Sequence, residues 1–294
     1  MLHVTPLHPL FAGEVHGLDL RTTPDAETCA EIDRAMDRYA VLVFRDQHLN
    51  DDQQMAFGAA LGPLEGAPAV VDAHKHRLAH RQMADISNLD LDGGLLPPDD
   101  RRRLFNLGNQ LWHSDSSFKP VPAKYSMLHG RLVPPDGADT EFADMRAAWD
   151  ALPAKQKTVI HHLVAEHSLL FSRAVLGFTD YTEAEREAFA PVPQRLVRWH
   201  EGCGRNSVYL SAHIGRIQGW LVPEALALIR ELTEFATQRQ FVYAHQWRAM
   251  DLVMWDNRTT MHRARPFDDK THKRDMRRVT LMDRAPTLAQ AVPG

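Results

Sequence analysis

His113 and Asp115 form the one His-x-Asp among the chain's 17 histidines. Two residues apart on an extended segment, their side chains project to the same side. A neutral imidazole and a carboxylate placed in this way can share one metal ion. A second histidine from far along the chain would complete a set of two histidines and one carboxylate. Such a set holds half of an octahedral iron(II) and leaves the other half open for chemistry. Leu111, Trp112 and Phe118 bracket the pair with apolar bulk, and a carboxylate buried there without a partner would be costly. The plainer alternative is a surface loop with a solvated aspartate.

His262 is the best-placed distal partner. The stretch 251–258 reads as a strand ending in an Asp256-Asn257 turn, and 259–263 reads as its return. A hairpin of that form would hold His262 rigidly, as a ligand must be held. His161, His162, His167 and His245 lack such a setting and read as helix-surface or core histidines. His200 and His213 remain candidates to line or support the pocket.

A second chemical feature lies near the C-terminus. On a strand, Arg274, Met276 and Arg278 share one face while Arg277 points away. Arginine forks bind carboxylates bidentately. Arg274 and Arg278, on the same face of that strand, would therefore form a pair of anion clamps. A solvated edge strand carrying arginines to discourage pairing explains them equally well.

The elements that must position these groups are mostly strands. Stretches 40–44, 84–91, 125–133, 140–144, 164–169, 195–200, 207–211, 241–247, 252–256 and 276–282 read as strands from their apolar runs or alternation. Helices are expected after Thr23-Pro24, at 50–61, at 147–152 and 154–163, and from Pro223, where Ala225, Leu228, Ile229, Leu232, Phe235 and Ala236 share a face. Apart from 84–91, the stretch 65–107 is polar and irregular. So long an insertion in a compact domain is expected to lie beside a site. Strands with few, dispersed helices exclude a doubly wound sheet, and no Gly-rich strand-to-helix turn offers a nucleotide site. A β-sandwich or barrel decorated by helices is the expected core.

Composition sets the outer bounds. Hydrophobic residues make up 44% and charged residues 24% of 294 residues, and no linker or repeat divides them, so one domain spanning 1–294 is expected. A net charge of −4 gives no general pull toward nucleic acid or an anionic membrane surface. Two distant cysteines, Cys29 and Cys203, suit neither a disulfide framework nor a zinc site. The first residues lack the layout of a signal peptide, and no run approaches the ~20 apolar residues of a membrane span. A cytoplasmic protein is the expectation.

Several motifs together resemble the TauD/TfdA family of iron(II)- and 2-oxoglutarate-dependent dioxygenases, over nearly the whole chain. They are His113-x-Asp115, Trp255-Asp256-Asn257-Arg258 ahead of His262, and Arg274 followed by Arg278. The wording at 109–118, at 139–148 and in the leader 6–12 looks closest to the TfdA branch. The resemblance implies a mainly β fold with surrounding helices, built on a double-stranded β-helix, a jelly-roll, cupin-like core. It implies that His113, Asp115 and His262 hold iron(II) and form the catalytic centre. It further implies that Thr140 and Arg274, with Trp255 packed beside them, bind the distal carboxylate of 2-oxoglutarate, and that Arg278 takes the carboxylate of the primary substrate. Ser117 and Asn109 are further substrate-side candidates.

With O2 as oxidant, the implied reaction hydroxylates the carbon beside the ether oxygen of an aryloxyalkanoate such as 2,4-dichlorophenoxyacetate. The products are a phenol and glyoxylate, with succinate and CO2. The same chemistry on a sulfonate or alkyl sulfate is an alternative, and a non-oxidative metal-dependent hydrolase on this scaffold is another. The implied partner is a small carboxylate, with a homo-oligomer as the assembly. Two departures stand out. The family's Gly-Gly-Asp-Thr is Gly137-Ala138-Asp139-Thr140 here, and the alanine is expected to adopt ordinary backbone geometry. The loop 67–81, which in the family covers the primary substrate, also differs.

Overall fold

Continuous apolar runs build the interior strands. Val41–Phe44 is buried at all four positions and Leu252–Asp256 at all five, as strands covered on both faces must be. The structure, a computed structural model, describes residues 2–66 and 77–291. Its larger sheet has seven strands in the order His3–Pro6, Gly13–His16, Val41–Phe44, Leu252–Asp256, Ala123–Leu132, Asp275–Met282 and Ala84–Asp85. A smaller sheet orders Val242–His245, Thr140–Asp144 and Thr260–Ala264. Val41, Leu128, Val253, Trp255 and Met276 from the first share a core with Phe142 from the second. The fold is a double-stranded β-helix, as the resemblance implies, with helices packed around it.

The capped helices follow from local chemistry. Asn50 and Gln53 form a reciprocal capping box that starts Asp51–Leu61. Val222–Ala236 buries Ala225, Ile229, Leu232 and Ala236 on one face. The first helix begins later than Thr23-Pro24 suggests: Asp25 caps Ala26–Tyr39 by accepting from the Thr28 amide at 2.9 Å. A carboxylate is the stronger acceptor, so proline falls outside the helix.

Three other expectations are corrected. The strand expected at 84–91 is only Ala84–Asp85, and the polar run after it holds the helix Arg101–Asn106, capped by Asp100. Arg101 pairs with Glu185 and Arg103 with Asp269, so distant acids anchor the charges that made this run look like loop. The strand at 164–169 stops at His167, where Ser168 caps a further helix, Leu169–Val175. Most consequential, 251–263 is no hairpin. Leu252–Asp256 pairs within the large sheet, whereas Thr260–Ala264 pairs with Thr140–Asp144 in the small one. The turn at Asn257 therefore carries the chain from one sheet to the other.

Candidate active site

Three separate segments assemble the donor set. After the 3-10 helix Leu107–Gln110 the backbone becomes extended and runs beside Thr260–Ala264. The His113 amide donates to the His262 carbonyl at 3.0 Å, and the His262 amide donates back to the His113 carbonyl at 2.8 Å. This bridge sets the two imidazoles 4.2 Å apart. Nε2 of His113 is 3.8 Å from Asp115 Oδ1, and Nε2 of His262 is 3.7 Å from Oδ2. One ligand atom from each of the three buried residues lies within 4.8 Å of the others. His113 Nδ1 donates to the Leu111 carbonyl at 2.7 Å, which leaves the Nε2 lone pair facing the cluster. Burial lowers the pKa of both histidines and so keeps them neutral, as ligands must be.

Asp115 is held from the opposite sheet. Its amide donates to Asn257 Oδ1 at 3.0 Å, and Asn257 Nδ2 donates to Ser126 Oγ at 2.9 Å. The Ser126 hydroxyl in turn donates to Asp115 Oδ2 at 2.8 Å. Arg278 Nη1 donates to Oδ1 at 2.5 Å. Burial would raise the Asp115 carboxyl, but Arg278, the two histidines and Ser126 outweigh it and hold it at about 2. The donor types and the neutral-imidazole, ionised-carboxylate pattern suit iron(II). Asn257 and Ser126 escaped the sequence reading. The Trp255-Asp256-Asn257 turn was its only trace of Asn257.

A cavity of about 40 Å³ opens on this cluster, lined by His113, His262, Thr140, Trp255, Arg274 and Arg278 together with Asn109. Arg274 precedes the strand Asp275–Met282, and the register shifts between Asp275 and Met276. The expected even spacing of the two arginines along one strand is thus interrupted, yet both reach the cavity. Asn88 pins Arg274, accepting from its amide at 2.8 Å while donating to the carbonyls of Asp269 and His272. The Arg274 guanidinium is buried, its Nε has no partner among the described residues, and burial lowers its pKa to about 10. Trp247 Nε1 donates to Thr140 Oγ1 at 3.0 Å, so the Thr140 hydroxyl proton is free for an acceptor. An adjoining cavity of about 200 Å³ shares Arg274 and Asn109 and leads past Arg103 and Asp269.

Two expectations need correction. Ser117 is fully buried, bonded to His167 Nδ1 at 3.0 Å, with its carbonyl accepting from Gln194. It braces the core and does not line this cavity. Ala138 has φ +59°, next to Gly137 at φ +74°; the Pro266 carbonyl packs against this turn and holds it in the left-handed region. Within the substrate loop, residues 67–76 lie outside the described residues. His200 bonds to Asp256 at 3.0 Å, away from the cavity, whereas the His213 ring lies 5.8 Å from that of His113.

The family model described as "Taurine catabolism dioxygenase TauD, TfdA family" matches residues 3–280. The chain is 50% identical over 280 residues to the alpha-ketoglutarate-dependent 2,4-dichlorophenoxyacetate dioxygenase of Cupriavidus pinatubonensis, covering 95% of this chain and 97% of that one. It is 38% identical over 281 residues to the (S)-phenoxypropionate/alpha-ketoglutarate-dioxygenase of Sphingobium herbicidovorans, covering 93% and 92%. Among solved structures, AAD-2 in complex with Mn(II) and N-oxalylglycine superposes with a TM-score of 0.94 at 52% identity, over 97% of this chain and 99% of that one. The chain belongs to the TauD/TfdA family and is an oxidoreductase of the dioxygenase class.

Proposed function

We propose that the chain is one catalytic unit that uses iron(II), 2-oxoglutarate and O2 to hydroxylate the carbon beside the ether oxygen of an aryloxyalkanoate. The product falls apart to a phenol and, from an aryloxyacetate, glyoxylate. One observation carries this reading: a single cavity, lined by His113 and His262 of the three-residue donor set, joins that set to Thr140 and to a buried arginine whose Nε has no partner among the described residues. A hydrolase would need the metal donors but not an uncompensated Arg274.

His113, Asp115 and His262 would hold iron(II), which when bound would supply the coupling of O2 to the decarboxylation of 2-oxoglutarate and to oxidation of a substrate C–H bond. The rest of the task is positioning. Thr140 donates its hydroxyl proton to the distal carboxylate of the keto acid, and the Arg274 fork neutralises that carboxylate in a site that excludes water. The Trp255 indole, 4.7 Å from the His262 ring, closes the wall between them. Arg278 orients Asp115 and presents its remaining donors to the substrate carboxylate, and Asn109 lines the entrance beside it.

A cytoplasmic homo-oligomer belongs to the same proposal. Cys29 and Cys203 are free thiols, as suits a reducing compartment, and Leu221, Val222 and Leu226 expose an apolar stripe. No described helix is long and apolar enough to cross a membrane.

Oxygen uptake with iron(II) and 2-oxoglutarate across phenoxyacetates, phenoxypropionates, alkyl sulfates and sulfonates tests the reading. Phenol release on the first two supports it, and stimulation by the sulfur compounds alone overturns it. Asp115→Ala is expected to abolish iron(II) binding and uptake together; full uptake in that variant would sink the assignment.

A further inference from the structure

A second buried arginine is unaccounted for. Arg173, on the helix Leu169–Val175, is 5% exposed, and its Nε has no partner among the described residues. Its Nη1 donates only to the neighbouring Ser172 hydroxyl, at 3.1 Å. The guanidinium lies 4.4 Å from the centre of the Phe105 ring, a contact that offsets only part of the cost of burying the charge. It packs directly on the Gly108 backbone, where any Cβ would collide with it. Gly108 immediately precedes Asn109, which lines the cavity. Ser172 Oγ also bonds to His213 Nδ1 at 2.9 Å, and the His213 ring faces that of His113. Arg173 therefore stands behind Gly108 and His213, one layer from the His113 side of the donor set. Its charge bears on both Arg278 and His113. Beside it lies an aromatic cluster of Phe105, Tyr181 and Phe189 with Phe118 packed against it.

Charge assigns the ligand. Arg274 answers to the distal carboxylate of the keto acid, and Arg278 already has Asp115 as counter-ion. Arg173, whose charge acts on Arg278 and His113, has no counter-ion among the described residues. We infer that Arg173 is a second clamp for the primary substrate, so that the carboxylate of an aryloxyalkanoate is held between Arg173 and Arg278 with its ring against the Phe105–Phe118 cluster. The inference rests on the substrate reading above. Glycine at 108 and the face of Phe105 pack on the planar fork and fix its orientation.

The test compares the native chain with Arg173→Gln and Arg173→Lys. Anaerobic binding of phenoxyacetate to the iron- and keto-acid-loaded protein is measured beside the KM for oxygen uptake. 2-Phenoxyethanol, a neutral ether of the same ring, is the control. In Arg173→Gln the phenoxyacetate affinity is expected to fall about tenfold or more, as for loss of one buried charge partner. Affinity for 2-phenoxyethanol and for 2-oxoglutarate should shift less than about twofold. The melting temperature without ligand should hold or rise, since an uncompensated charge has left the interior. Unchanged phenoxyacetate affinity, or an equal loss with the neutral ether, overturns the proposal. Should Arg173→Gln not fold, Arg173→Lys decides: weaker carboxylate binding supports the clamp and native affinity overturns it. A native chain that binds no aryloxyalkanoate removes the substrate reading and the clamp together, whereas equal binding by native and variant removes the clamp alone.

Discussion

Two kinds of largely enclosed arginine occupy this molecule, and they behave in opposite ways. Arg146 and Arg258 each fold back onto the aspartate two residues earlier. Arg146 meets Asp144 through two bonds of 3.0 Å, and Arg258 meets Asp256 at 2.6–3.2 Å. Burial opposes both charges, but the aspartates prevail and raise both pKa values. Arg274 and Arg173 are buried and have no such carboxylate among the described residues, and burial lowers both to about 10. The first pair is complete within the chain and stiffens the turns that lead toward Met145 and Asn257. The second pair is incomplete among the described residues, and we propose that co-substrate and substrate supply its anions. A charge that the fold itself neutralises is architecture; one left without a counter-ion beside the donor set is where we propose that ligands bind.

The contrast can be broken by substitution. Asp144→Asn should lower the unfolding free energy by about 3–5 kcal/mol, because it strands a buried Arg146; a denaturant titration giving less than about 1 kcal/mol would mean that Arg146 does not depend on its partner. Arg274→Leu should do the reverse. It should weaken 2-oxoglutarate binding about 100-fold or more while leaving thermal stability equal or higher, read by equilibrium binding and a melting curve on the same sample.

His200 extends the paired class to a titrating group. Burial would lower its pKa, but the bond to Asp256, aided by Cys203, raises it to about 9. A histidine raised in this way contributes its full stability below its unfolded value near 6.5 and loses that contribution as pH rises through about 9. Native stability should therefore decline across pH 6.5–9, and His200→Asn should flatten that decline; identical pH profiles would remove His200 from the network. The smallest effect is expected at the strained turn before Thr140. Ala138→Gly should raise stability by about 1 kcal/mol, since only the alanine is penalised at a positive φ.

Much of the site was visible along the chain because its signals are local. His113-x-Asp115 places two donors at a spacing any extended segment turns to one side. The capping residues of Asp51–Leu61 and the apolar face of Val222–Ala236 likewise need no distant partner. Hidden were single polar residues whose meaning depends on long-range contact. Asn257 reaches Ser126 across 131 residues, and Asn88 reaches Arg274 across 186. Arg101 and Arg103 looked like solvated loop because Glu185 and Asp269 cannot be matched to them before folding.

By itself the sequence determined the donor types, the strand-rich class and the resemblance that names the chemistry, since these follow from residue identity and short spacing. Tertiary structure alone decided that the turn at Asn257 joins two sheets, that Asp115 is held by one sheet and His262 by the other, that Ser117 braces the core, and that Arg173 stands bare beside the site. The physical reason is the same in each case. Whether a polar group is satisfied depends on what faces it across the sheets, and that is set by packing.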